Sequence, residues 1–167
     1  MSDYQPSPPA HTALIVTSLF VALLLSWLPW HGFLLIIRPD FVALVLLYWS
    51  MQKPNHCGIG IAWTVGIIAD VADASFLGQH ALAYAVLAFC GIVLQRRLSM
   101  LSLSQQALQV FPLLLLAYAI YVIVHWQLHG YVSWAHLLGS VVSALLWVPV
   151  TTLLQKLCHA RASSSQR

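Results

Sequence analysis

The pattern of apolar and polar positions divides the chain into six long apolar stretches joined by short polar segments. These stretches cover residues 13–28, 33–49, 58–71, 79–94, 107–128 and 133–157. A helical membrane crossing needs about 20 predominantly apolar residues, so this pattern predicts six transmembrane helices. The connections are short, apart from the segment from Gln95 to Gln106.

Composition supports this prediction and excludes several classes of protein. The 167 residues are 60% hydrophobic and 7% charged, with a mean hydropathy of +0.84. About a quarter of the residues in a soluble domain are charged. The formal charge of +3 comes from dispersed basic residues, which does not suit a nucleic-acid surface. We therefore expect an all-α integral membrane protein, with a six-span domain at 13–157 between polar tails at 1–12 and 158–167.

The basic residues predict how this bundle is oriented. Six spans place both termini on one side of the membrane, and six of the seven basic residues then fall on that side, leaving Arg38 near the other. The six are Lys53, Arg96, Arg97, Lys156, Arg161 and Arg167. Because cytoplasmic loops carry an excess of Lys and Arg, we expect both termini to be cytoplasmic.

Three of the four carboxylates, Asp40, Asp70 and Asp73, lie in or at the ends of apolar spans. A charged residue at the bilayer centre costs about 2.5–3.5 kcal/mol on insertion scales, so these side chains are expected to have partners. Asp70 and Asp73 share one helical face, and Arg38 is expected on the same half of the membrane. Arg38 could pair with any of the three. These charged residues could form a substrate or proton path. The favoured interpretation is that they interact with one another and fix the packing of the helices.

Proline at position 39 predicts a break in the second span. The residue before a proline is pushed away from helical geometry, and proline suits the first position of a helix. The segment 36–38 is therefore expected to be extended or broken, with a helix from about Pro39 to Gln52. That helix would span about 21 Å at 1.5 Å per residue, which is short for a bilayer core.

The remaining polar features leave alternatives open. The segment from Gln95 to Gln106 predicts either a short interfacial helix or hairpin, or a simple loop with buried leucines. His125, His129 and His136 have a spacing that can bind zinc, but interfacial histidines without a ligand role are favoured. No catalytic motif occurs, and the widely spaced Cys57, Cys90 and Cys158 suit small apolar core positions. No enzyme activity, metal or cofactor is expected.

Small residues at helical spacing allow two helices to approach closely. The pairs are Ala62–Gly66, Gly139–Ser143 and Ser140–Ala144. The partner could be another helix of the bundle or a separate protein. We expect Gly139, Ser140, Ser143 and Ala144 to contribute to an outer packing face.

Two segments resemble the bacterial rod shape-determining MreD family. One begins at Arg38-Pro39-Asp40 and runs through Tyr48-Trp49 to Pro54, and the other joins the motif at 66–71 to that at 78–84. The length, the six-span pattern and the basic end of the fourth span also match. By this resemblance the family's motif positions are Arg38, Pro39, Asp40, Gly66, Asp70, Gly78 and His80, to which the charge pattern adds Asp73.

The resemblance implies an inner-membrane scaffold of the elongasome, which builds the lateral cell wall. It implies MreC as the direct partner and, through MreC, the MreB filaments, RodA and its penicillin-binding transpeptidase. A homodimer is also compatible with it. The implied fold is similar to the substrate-binding component of energy-coupling-factor vitamin transporters. The alternative function is accordingly that of a transporter component with a small ligand in an outward-facing cavity.

Overall fold

The computed structural model describes residues 9–28, 38–129 and 135–164, and in these ranges the chain is all-helical. The described helices are α1 (Pro9–Trp27), α2 (Phe41–Gln52), α3 (Ile59–Ala72), α4 (Gln79–Leu98), α5 (Leu103–His129) and α6 (Ala135–Ser164). Each coincides with one of the six apolar stretches. The hydrophobic pattern therefore located every described helix, although several ends differ, by up to eight residues at the start of α2.

The six helices alternate in direction. One cavity is lined by residues near the C-terminal ends of α1 and α3 and by residues at and just beyond the middle of α5. The same cavity is lined by residues near the N-terminal ends of α2, α4 and α6. Because C-terminal parts of some helices and N-terminal parts of others meet at this cavity, consecutive helices run in opposite directions. This arrangement is typical of a multi-pass membrane protein with short connections.

Helix α2 forms the centre of the bundle. Ten consecutive residues, Val42–Met51, are buried, and the helix packs against α1, α4 and α6. A helix that is apolar on every side is stable only when other helices surround it. The indole Nε1 of Trp49 donates a 2.8 Å hydrogen bond to Ser18 Oγ, which joins the C-terminal part of α2 to α1.

The start of α2 differs slightly from the prediction. Arg38, Pro39 and Asp40 are not helical, which confirms the break, but the helix begins at Phe41 rather than Pro39. Asp40 is the N-cap, because its side chain accepts a hydrogen bond from the Ala43 N–H at 2.9 Å. The predicted extended residues 36 and 37 lie outside the described part of the chain.

The prediction of an interfacial helix or hairpin between Gln95 and Gln106 is wrong. Helix α4 continues to Leu98, and a short turn leads directly into α5 at Leu103. The alternative of a simple connection with a buried leucine is confirmed at Leu98, which is almost fully buried. The side-chain amide of Gln106 closes this turn by donating to the carbonyl oxygens of Leu98 and Leu101.

Among the described residues, three helical segments are long and apolar enough to cross a membrane: Gln79–Leu98, Leu103–Val124 and Gly139–Cys158. The other apolar helices are shorter: Thr12–Trp27, Phe41–Gln52 and Ile59–Ala72. Large apolar side chains lie exposed on the outside of the bundle, as in Phe20, Trp63, Leu108 and Leu145. This surface suits lipid rather than water as its surroundings.

Small residues bring helices into close contact inside the bundle. A Cβ at Gly66 would lie 2.3 Å from the Ala81 Cα, so α3 and α4 touch backbone to backbone. A Cβ at Gly139 would lie 2.6 Å from the Arg38 carbonyl oxygen. The expected outer packing face is therefore wrong: Gly139, Ser140, Ser143 and Ala144 are all buried and face the interior.

We predict that Gly66→Ala separates α3 from α4, because the new methyl group meets backbone atoms that cannot move aside. Overpacking of this kind costs about 1–3 kcal/mol. Gly60→Ala is the matched control on the same helix, since a Cβ there meets nothing within 4 Å. Thermal unfolding of the purified protein in detergent should show a lower midpoint for Gly66→Ala alone. Equal midpoints for the two variants would contradict the contact.

Candidate functional site

The carboxylate of Asp70 lies fully buried beneath the start of α4. Its two oxygens accept backbone N–H bonds from Gly78 at 2.8 Å, His80 at 2.8 Å and Ala81 at 3.4 Å. Two side chains complete the set, with His80 Nδ1 at 2.9 Å and Ser75 Oγ at 3.1 Å. A buried carboxylate with this many donors is fully satisfied, so Asp70 is a structural anchor.

Asp70 does for α4 the work of an N-cap residue, although it belongs to the preceding helix. The first N–H groups of any helix lack partners within it, and they favour a nearby negative charge. The local N-cap residue, Gly78, has no side chain to supply. Gly78 instead adopts a φ of +103°, a left-handed conformation in which other residues are strained. The turn can therefore fold back until the start of α4 reaches Asp70.

Asp40 links three helices at the same end of the bundle. It caps α2 through Ala43, and its own N–H donates to Ser143 Oγ of α6 at 2.9 Å. The hydroxyl group of Tyr84 in α4 lies 3.0 Å from both oxygens of Asp40. The non-helical segment before α2 thus has partners inside the protein, as a membrane interior requires.

Arg38, Asp73 and His80 form a looser group beside these anchors. Arg38 Nη2 lies 3.7 Å from Asp73 Oδ1, and His80 Nε2 lies 4.0 Å from Asp73 Oδ2. Of the three pairings that the sequence left open, the structure shows Arg38 with Asp73. The Asp73 side chain is 37% exposed, against 0% for Asp70, so the two neighbouring carboxylates have different environments.

These groups border a cavity of about 180 Å³. Arg38, Pro39, Asp40, Asp73 and His80 all line it. Aromatic side chains form much of the remaining wall, namely Trp27, Tyr84, Tyr118 and Tyr121. The His80 ring packs between two of them, with centroid distances of 4.9 Å to Tyr121 and 5.7 Å to Tyr84.

The structure brings most of the sequence-predicted residues together around this cavity. Asp70 and Gly78 do not line the cavity, but the hydrogen bond between them positions the start of α4, which does. Gly66 lies at the contact of α3 with α4. Sequence reasoning missed Tyr84 and Ser143 as partners of Asp40. The spacing of His80 and Tyr84, four residues apart on α4, was the available signal that they share a face. Ser143 had been assigned to the outer surface.

Neither the zinc alternative nor the favoured interpretation of His125, His129 and His136 as interfacial residues is tested, because their side chains lie outside the described residues. Among the side chains that are described, no three of His, Cys, Asp or Glu converge in a way that could hold a metal ion. The His80 ring nitrogens face two carboxylates, which is an arrangement for hydrogen bonding and ion pairing.

Comparison with known proteins gives a consistent result. The family profile described as rod shape-determining protein MreD matches residues 10–157. The rod shape-determining protein MreD of Haemophilus influenzae is 31% identical over 144 residues, which cover 86% of this chain and 89% of that protein. No solved structure matches the chain. The expected similarity to the substrate-binding component of energy-coupling-factor transporters is therefore not supported.

We predict that Asp70→Asn destabilises the protein while Asp73→Asn does not. The amide that replaces the Asp70 carboxylate would turn an NH2 group towards N–H donors, and an unsatisfied buried group costs about 1–3 kcal/mol. Asp73 makes only long, partly exposed contacts, which are worth less than about 1 kcal/mol. Thermal unfolding of both purified variants measures the difference. Equal losses of stability would show that Asp70 is not the anchor.

Proposed function

This chain belongs to the MreD family of rod shape-determining proteins, and from that membership we propose that it is a non-enzymatic inner-membrane scaffold of the elongasome. In this role it binds MreC and supports lateral wall synthesis by MreB, RodA and the elongation-specific transpeptidase. The observation that carries the proposal is that two buried carboxylates make their hydrogen bonds within the protein itself. Asp70 and Asp40 are engaged in capping helices and joining α2, α3, α4 and α6.

The distribution of charge supports a six-span topology with both termini in the cytoplasm. Lys53, Arg96, Arg97 and Lys156 follow or end helices at the end of the bundle away from the cavity. Arg38 lies at the cavity end. By the positive-inside rule the end without the cavity faces the cytoplasm. The shortest helix, α2, crosses with the support of its neighbours, because it is enclosed by other helices and not by lipid.

The outer face of α3 is the surface that we propose for MreC. Helix α3 packs chiefly against α4, which leaves its opposite side open. Gly60 and Thr64 are one turn apart on this exposed side, with Trp63 and Ile68 beside them. Small residues one turn apart let a partner helix approach closely, and large apolar neighbours add contact area. The transmembrane helix of MreC is the proposed occupant.

We predict that Gly60→Leu weakens copurification of MreC, because the leucine would hold the partner helix away from α3. The variant should fold, since a Cβ at Gly60 meets no other atom within 4 Å. Ala119→Leu is the matched control, as it adds a similar side chain to an exposed small residue on α5. Recovery of MreC with tagged protein, normalised to expression, is the measurement. Undiminished recovery with Gly60→Leu would exclude this face.

The alternative function, a vitamin-type transporter component, has the cavity in its favour. However, sites for drug-sized ligands usually measure about 300–1,000 Å³, and this cavity measures about 180 Å³. The size therefore favours a scaffold with a small internal site over a transporter of a vitamin-sized solute.

Depletion of the protein in its rod-shaped host tests the proposed function directly. We expect the cells to become round, and a wild-type copy to restore rods. A copy with Asp70→Arg should fail, because the guanidinium would face the N–H donors at the start of α4. An Ala119→Leu copy, changed at an exposed position of α5 away from the anchor and the cavity, is the control. Rods that persist after depletion but require a supplied vitamin would instead support the transporter alternative.

A further inference from the structure

The cavity wall carries two acidic side chains, those of Asp40 and Asp73, together with the basic side chains of Arg38 and His80. The carboxyl group of Asp40 is already engaged by the Ala43 N–H and the Tyr84 hydroxyl group. Asp70 lies buried behind the wall and is bonded to the start of α4. Asp73 is therefore the acidic group that remains accessible from the cavity.

Asp73 is the carboxylate with capacity to bind something more. The nearest basic nitrogens among the described residues, Arg38 Nη2 and His80 Nε2, lie at 3.7 Å and 4.0 Å from its oxygens, both beyond normal hydrogen-bond length. Its side chain is also more accessible than its two neighbours, at 37% exposed against 27% for Arg38 and 16% for His80. A positively charged donor could reach Asp73 without breaking any bond that holds the helices together.

The aromatic lining favours an organic cation over a metal ion. Tyr118 and Tyr121 stack with ring centroids 6.4 Å apart, and Trp27 and Tyr84 also line the cavity. Aromatic faces attract ammonium groups, including those that carry methyl groups. A divalent metal would instead need several oxygen or nitrogen ligands at short range, and no such group occurs among the described residues.

We propose that this cavity binds an ammonium group, held by Asp73 and flanked by the tyrosine rings. Its volume of about 180 Å³ is more than ten times the 10–15 Å³ that one water molecule requires, yet it is below that of a drug-sized site. A short aminoalkyl group fits these limits. Such a group can come from a free amine or from the headgroup of an aminophospholipid, and the two sources are separated by experiment.

Ethanolamine is the probe for a free amine, and ethylene glycol is its uncharged counterpart of similar size. Titration of the purified, delipidated full-length protein by calorimetry should show saturable binding of ethanolamine and none of ethylene glycol. Asp73→Asn should weaken ethanolamine binding by at least about tenfold, because it removes the charge that faces the ammonium group. Arg38→Gln should have the opposite effect and strengthen binding, since it removes the competing cation.

The opposite signs expected at Asp73 and Arg38 protect the test from simple loss of folding, which would weaken binding in both variants. For the lipid source, the protein is placed in nanodiscs of phosphatidylglycerol with or without phosphatidylethanolamine and examined by native mass spectrometry. Retention of phosphatidylethanolamine by wild type but not by Asp73→Asn identifies the headgroup as the source. Binding of ethanolamine without lipid retention identifies a free amine. Failure of both probes, or equal binding of ethylene glycol, overturns the proposal.

Discussion

The structure depends on how the free N–H groups at the starts of α2 and α4 are satisfied inside the bundle. In lipid there is no water to accept these hydrogen bonds, so the protein must supply the acceptors itself. Asp40 supplies them for α2 from the adjacent position, and Asp70 supplies them for α4 from the end of the previous helix. A carboxylate suits this task, because the positive end of the helix dipole offsets part of the cost of its charge.

These two aspartates also explain why so many elements meet at one end of the molecule. Asp40 contacts α4 through Tyr84 and α6 through Ser143, while Asp70 joins α3 to α4. The contact of Gly66 with the Ala81 backbone lets α4 approach α3 closely enough for those bonds to form. The hydrogen bonds of Asp70 therefore depend on the close packing of α3 against α4, and they in turn hold the two helices together.

The sequence predicted the helices well because an apolar stretch of this length in a membrane must satisfy its backbone hydrogen bonds internally, which a helix does. It predicted the break at Arg38-Pro39 because proline acts locally. It did not identify the partners of Asp70, since N-capping rules describe residues beside a helix start, whereas this cap comes from eight to eleven residues earlier. It also misplaced Ser143, because small residues suit inner and outer faces equally. The hydrogen bond from the Asp40 N–H to Ser143 and the contact of Gly139 with the Arg38 carbonyl place this face inside the bundle.

Asp70 and Asp73 lie within one turn of each other but have different roles. Asp70 stabilises the fold, and Asp73 is the group proposed to bind a ligand. Asp70 is enclosed and bonded to five groups, so any change there affects the fold. Asp73, three residues later, has passed the last residue of α3 and turned its side chain towards the cavity. A ligand at Asp73 would meet a surface that the fold keeps rigid but does not need for its own stability. Occupation of the cavity can therefore vary while the outer faces of the bundle stay in place, so a scaffold and a binding site are compatible in one small protein.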